Sequence, residues 1–329
     1  MLKYCRFLSF LLFIPCLIGG SGAILAGESV EWAQHGFLAK VSSVPITFST
    51  FLLIILVRMR PKGDVKSCTG ALVSASLVLT SGHCVVDRRN RNETEKREMM
   101  EFVVTLPGLP FDNHQKGAEK EKTPPFRSTA KLLATSGREW NETGGWALLR
   151  IVPRNTSKLC TTKRFSRLNF RQSPNGPSQI NVKPMELSKS DAECQLIGFS
   201  TSEKAGDFVT EEKVFRLHLK EVAEPPMDDS FHHYRSRVYS DNFTACYDDV
   251  GAPLFCKLAS SGEEEFQLGL FQSLTVPLEI VSQGMSNDIE QCRMASEMRF
   301  TLLADDRKLA EAIQGYTMAE FIEGYQNCK

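Results

Sequence analysis

The segment Cys246-Tyr247-Asp248-Asp249-Val250-Gly251-Ala252-Pro253-Leu254-Phe255-Cys256 places two adjacent carboxylates ahead of a glycine, between two cysteines. One imidazole has a comparably marked setting: His83, directly before Cys84. Imidazole and carboxylate together move protons, and with a hydroxyl or thiol they drive nucleophilic attack on a carbonyl. The residue after Asp249 is instead Val250. Valine has no lone pair to attack with and no proton for a base to remove, so covalent catalysis cannot occur at that position. Metal chemistry has less support still, because the chain has no C-x2-C pair and no Cys/His cluster of ligand spacing. No metal and no cofactor is expected.

Short strands must position these residues. Strand-like stretches are Phe37 to Val41, Ala71 to Val73 with Leu77 to Leu79, Phe102 to Leu106, Trp146 to Val152, Cys194 to Phe199 and Gln267 to Phe271. Each is rich in branched or aromatic residues and bounded by Gly, Pro, Ser or charge, the pattern of an all-β sandwich or barrel. Helix signals are few. The clearest runs from Asp305 to Ile313, where Leu309, Ala310 and Ile313 fall three and four apart, with a stop expected at Gly315. Charged loops lie at Arg88 to Glu101, Asp112 to Lys122 and Ser260 to Glu265. The apolar run Ile46 to Val57 reads as a buried strand, too short to span a membrane. No internal sequence repeat is evident.

The first residues combine Lys3 and Arg6, an apolar run from Phe7 to Ile18, and Ser21-Gly22-Ala23. That is the pattern of a secretory signal peptide over residues 1–23, shorter in its apolar part than a membrane anchor. Eight cysteines follow it: Cys68, Cys84, Cys160, Cys194, Cys246, Cys256, Cys292 and Cys328. An even count in an exported chain reads as disulfides, with zinc the poorer alternative. Sequons at Asn92, Asn141, Asn155 and Asn242 are expected glycan sites. The chain has 39 basic and 39 acidic residues, so it offers no global field for nucleic acid or an anionic membrane. Neither is an expected partner.

The segment around Val250 resembles the Cys-x-Gly-Asp-Ser-Gly-Gly-Pro-Leu-x-Cys block of trypsin- and chymotrypsin-like serine proteases, with the nucleophile replaced. Three further blocks resemble that family in its order along the chain. Cys68 to Val73 and Leu79 to Cys84 are similar to its C-G-G-S-L-I and V-T-A-A-H-C segments, which makes His83 the triad histidine. Gly145 to Ile151 looks like D-I-A-L-L-x-L, with the triad aspartate falling on Gly145. Glu142 stands on the wrong step of the chain to take over. Cys194 to Ser200 resembles C-x-x-x-G-W-G, and Leu268 to Leu274 resembles V-G-I-V-S-W-G. There the family's serine, tryptophan and glycine fall on Gln272, Ser273 and Leu274, and the pocket-base residue falls on Thr244.

The resemblance implies an all-β fold of two six-stranded antiparallel Greek-key barrels, chymotrypsin-like, with a C-terminal helix. It covers residues 24–315, leaving 316–329 as a C-terminal tail. It implies the disulfides Cys68–Cys84, Cys194–Cys256 and Cys246–Cys292, with Cys160 and Cys328 as the remaining pair. Ile24 resembles the family's new N-terminus, whose amine buries itself against the aspartate before the nucleophile, here Asp249. Asp248 stands at an oxyanion-hole glycine, where a carboxylate repels developing negative charge. Leu274 stands where a glycine leaves space for substrate. The stretch from Phe37 to Cys68 is longer than the family's, and the excess coincides with Val41 to Leu56, either a real insertion or a retained intron. The expectation is a secreted, insect-like homologue without catalysis that acts by protein binding. It would be a cofactor, decoy or regulator in an extracellular network such as immune or seminal fluid. Active proteases and other secreted proteins are the expected partners, and Tyr247, Asp248, Leu274 and His83 the candidate contacts. The alternative is an active serine-type endopeptidase of altered mechanism, which needs a nucleophile other than Val250 near His83.

Overall fold

A computed structural model describes residues 28–30, 35, 37–45, 66–74, 76–85, 100–106, 126–136, 145–152, 166, 168, 193–200, 213–219, 222, 233–237, 244–246, 249–257, 265–277, 288–303 and 306–322. Its strands are β1 (Glu28–Val30), β2 (Leu38–Pro45), β3 (Lys66–Leu72), β4 (Leu77–Ser81), β5 (Met100–Leu106), β6 (Phe126–Thr135) and β7 (Trp146–Val152). The second half adds β8 (Glu193–Ser200), β9 (Lys213–Leu219), β10 (His233–Arg237), β11 (Pro253–Lys257), β12 (Glu265–Thr275) and β13 (Glu297–Leu302). Two helices follow, α1 (Asp288–Arg293) between β12 and β13, and α2 (Arg307–Ile322) after them.

β2 to β7 close a barrel in the order β2-β3-β4-β7-β6-β5. The second sheet runs β1-β9-β8-β11-β12-β13-β10. Without β1, its six strands repeat the cyclic order of the first barrel, opened between β9 and β10. All these ladders are antiparallel. One Greek-key connection is thus used twice, although the sequence shows no repeat. Topology survives without sequence similarity because it needs only strand patterning and workable connections.

The barrel wall facing the rest of the protein is apolar on both sides. In β7, Ala147, Leu149 and Ile151 point into the barrel core, while Trp146 and Leu148 join an outer cluster with Leu77, Leu79, Leu270, Leu303 and Leu309. That is why Trp146 to Val152 reads as a continuous apolar run instead of an alternation. The second core is built from Leu196, Leu217, Leu254, Leu268, Met298, Phe300 and Leu302, with the Cys194–Cys256 disulfide inside it. A third interface packs Leu38 against Ile197, Phe199, Val214 and Phe255.

Helix α2 is fastened to the barrel at its first turn. The Asp306 carboxylate caps the helix by accepting from the Leu309 amide at 3.0 Å, and its other oxygen accepts from the indole N–H of the buried Trp146. The helix corrects the sequence expectation at both ends. It begins at Arg307 instead of Asp305 and runs through Gly315 to Ile322. Gly315 does not terminate it because packing resumes one residue later, where Tyr316 lies against the Leu77–Trp146 cluster. The first seven residues of the tail, 316–322, are therefore helical. A Cβ at Gly315 meets nothing within 4 Å. Gly315→Ala should therefore raise stability by about 0.5–1 kcal/mol, read as a higher urea midpoint at unchanged slope.

A second correction concerns β2. Val41 to Pro45 are barrel wall and not part of the excess stretch, with Val41 opposite both Cys68 and Val104. Val41 is buried in the core. The remainder of that stretch, 46–56, lies outside the described residues, as does the run Ile46 to Val57.

Candidate functional site

The seam between the two sheets is formed by the turn carrying His83 and the turn carrying Val250. β4 ends in a 3-10 turn, Gly82–Val85, and the Cys68–Cys84 disulfide ties that turn to β3. His83 is partly buried there, and its backbone N–H donates to Ser81 Oγ at 3.2 Å. The second turn, at 249–252, leads into β11. Within it the Ala252 amide donates to the Asp249 carbonyl at 2.7 Å and the Cys246 amide to Asp249 Oδ2 at 2.9 Å. Asp249 is fully buried. The Gly251 amide donates to the Phe271 carbonyl at 2.8 Å, which locks the turn onto β12.

Val250 lies where the two turns meet. Its carbonyl accepts from the Thr69 amide at 3.0 Å and sits 3.5 Å from Cys84 Sγ. Its side chain is partly buried and packs against the cores of both sheets. Gly251 makes this approach possible. Its φ is +88°, and a Cβ there would overlap the Thr69 carbonyl oxygen and Thr80 Oγ1.

Gly145 closes the other side of the His83 turn. Its carbonyl accepts from the Gly82 amide at 2.9 Å and from Gln272 Nε2 at 3.1 Å. The neighbours of His83 in that turn, Gly82 and Cys84, thus meet Gly145 and Val250, which are distant in sequence. The space beside Gly145 is occupied. A Cβ on Gly145 would meet Ser136 Oγ at 2.5 Å. Gln272, itself buried, ties the backbone there: its Oε1 accepts from Ser81 Oγ at 2.6 Å while its amide donates to the Gly145 carbonyl. The ladder between β12 and β13 pairs Phe271 with Phe300 and Ser273 with Arg299, so Gln272 is the extra residue of a bulge. Bulges re-aim side chains, and this one turns an amide across the seam.

Beneath the Val250 turn the packing is apolar. Leu274 lies opposite Met298 in the β12–β13 ladder. Leu274 packs against the second core, which contains Met298, and against the Cys246–Cys292 disulfide. Met298 is 1% exposed. Thr244 is fully buried, with its hydroxyl donating to the Ala245 carbonyl at 3.1 Å.

Three of the implied disulfides, Cys68–Cys84, Cys194–Cys256 and Cys246–Cys292, are present. Ile24, Tyr247, Asp248, Cys160, Cys328, Asn92, Asn141, Asn155 and Asn242 lie outside the described residues. Among the described residues no group of His, Cys, Asp and Glu is arranged to hold a metal ion. No described helix is long and apolar enough to cross a membrane. Sequence reasoning missed Ser81, Ser136 and Met298. Met298 had a usable signal, the alternation Met298, Phe300, Leu302 following Cys292. Ser136 had none, since only the fold sets it beside Gly145.

No protein-family model matches the chain, and no curated protein matches it either. The doubled antiparallel Greek key, with the site in the seam, is compatible with a chymotrypsin-like fold.

Proposed function

We propose that this chain is an exported homologue of trypsin/chymotrypsin-like serine proteases that performs no hydrolysis and acts by binding other extracellular proteins. One observation carries the reading above the rest. The position beside the His83 turn where that chemistry needs a hydroxyl holds Val250, whose side chain packs into both cores. The orienting carboxylate is replaced by Gly145, and Ser136 occupies the space a side chain there would enter. That carboxylate fixes the histidine's tautomer and stabilises the imidazolium, so its loss removes a separate contribution. The three disulfides fit an oxidising compartment.

Within this reading the protein serves as a cofactor, decoy or regulator of active proteases. The sequons at Asn92, Asn141, Asn155 and Asn242 carry its glycans, and cleavage after Ala23 leaves Ile24 as the first residue. The test is secretion from cultured cells followed by treatment with a fluorophosphonate probe. We expect a product in the medium that begins at Ile24 and takes up no label, beside an active protease that labels fully. Covalent labelling of the folded chain would overturn the non-catalytic reading. Retention inside the cell would overturn export.

A further inference from the structure

We propose that His35 and Arg216 form a pH-sensitive latch, which fastens strand β1 to the edge of the second sheet at neutral pH and releases it on acidification. The inference is independent of the function proposed above.

Arg216, in β9, brings Nη2 to 3.3 Å from Nε2 of His35. A guanidinium only donates, so Nε2 carries a lone pair and the ring is neutral, with its proton on Nδ1. His35 is 9% exposed, and its ring stands edge-on to Phe37, which meets Phe255 edge-on in turn. The Arg216 Nε–H is buried with no hydrogen-bond partner among the described residues, so this guanidinium is only partly hydrated. A proton arriving on Nε2 would turn the acceptor into a second cation against the first, where screening is weak.

Strand β1 is the element such a change would loosen. It has three residues, pairs with β9, and sets Glu28 opposite Arg216 itself. Glu28 and Ser29 are exposed, so few packed atoms oppose release. His35 follows β1 in the chain and holds it to the same Arg216.

The other charged groups on this side do not reverse the sign. Glu28 would attract a protonated His35, and protonation of His218, 4.0 Å from Glu28, would draw β1 toward β9. The His218 and Glu28 side chains are 67% and 63% exposed, so solvent screens both effects. Farther along, Lys257 of β11 pairs with Glu265 of β12 at 3.9 Å. On β2, Lys40 alternates with the core-facing Ala39 and Val41 and adds positive charge on the Leu38 side. The docked chain therefore binds the His35 proton less readily than the released one. Docking of β1 is complete above the ordinary imidazole value of about 6.5 and is lost as pH falls below it.

The test is amide hydrogen exchange on the intact chain from about pH 7.5 to about pH 5, where ordinary carboxylates stay mostly ionised, with the intrinsic pH dependence of exchange removed. Peptides covering Glu28 to Val30 and Val214 to Arg216 should lose protection at least ~10-fold, while those covering Pro253 to Lys257 keep theirs. In His35→Gln, whose side-chain oxygen accepts from Arg216 at every pH, protection should change less than ~2-fold. Nitrogen-15 NMR of labelled histidine at neutral pH should show the Nδ1–H tautomer at His35. An Nε2–H tautomer or an imidazolium there would overturn the latch. So would unchanged wild-type protection across the range, a loss spread evenly over the second sheet, or a folded His35→Gln that still releases β1. If His35→Gln does not fold, the tautomer and the wild-type profile decide.

Discussion

Gly251→Ala is expected to remove roughly 3–5 kcal/mol of stability, a large share of the ~5–15 kcal/mol a folded chain has in reserve. The backbone at 251 sits at φ +88°, where an L side chain is strained whatever the space. The added methyl would also overlap the Thr69 carbonyl oxygen, which belongs to a β3 residue whose amide donates to Val250. Relief requires parting the two sheets at their closest approach. The Gly251 amide, bonded to the Phe271 carbonyl, would move with them. Thermal unfolding should show a drop on the order of 10 °C at the ~2–4 °C per kcal/mol usual for chains of this size. A shift of under about 2 °C would mean the turn is not held as described.

Rebuilding the triad should fail in a defined way. Val250→Ser is expected to leave ester hydrolysis at the buffer rate, because an activated serine needs a base oriented by a carboxylate, and the position that resembles the family's acid is Gly145. Adding Gly145→Asp should not help, and should cost about 2–4 kcal/mol. Its Cβ would crowd Ser136 Oγ, and its carboxylate would leave a buried backbone position with no cation shown beside it among the described residues. The decisive comparison is non-additivity. Gln272→Ser alone costs the Gly145 carbonyl one of its two donors and destabilises by about 1–2 kcal/mol. Ser136→Gly in the Gly145→Asp background removes the hydroxymethyl group that the new Cβ meets and should recover about 1–2 kcal/mol. Strict additivity in urea midpoints would show that Ser136 does not crowd the aspartate.

The wall strands were legible where both faces are apolar or alternation is clean. Trp146 to Val152 matches β7 at both ends because its apolar residues serve both faces, with Trp146 to Leu149 and Ile151 buried. β10, with the sequence HYRSR, carried no hydrophobic alternation, since a polar residue serves its inward face: Ser236 is buried. β6 was hidden by the bulge that sets Leu132 and Ala134 opposite the adjacent Leu149 and Leu148, which breaks the period of two at Leu133. The disulfides Cys68–Cys84, Cys194–Cys256 and Cys246–Cys292 were legible through family resemblance, not through spacing. At the site, Val250 and Gly145 could be read as missing functional groups, but what replaced them could not. An amide from β12 reaching a carbonyl 127 residues away depends on a bulge and on the docking of two sheets. Neither is a local property of the sequence. The opposition of Leu274 and Met298 is of the same kind, because it exists only in the β12–β13 register.

The bulge at Gln272 also bears on how such a chain can change over generations. On the proposed reading, the backbone that once carried the acid now accepts an amide from the opposite half of the molecule, and Ser136 crowds the place of its side chain. Reversion by single steps runs uphill: restoring the acid first crowds Ser136, and removing the amide first costs the carbonyl one of its two donors. The fold therefore behaves as a ratchet, holding the lineage away from its ancestral chemistry without any selection against that chemistry.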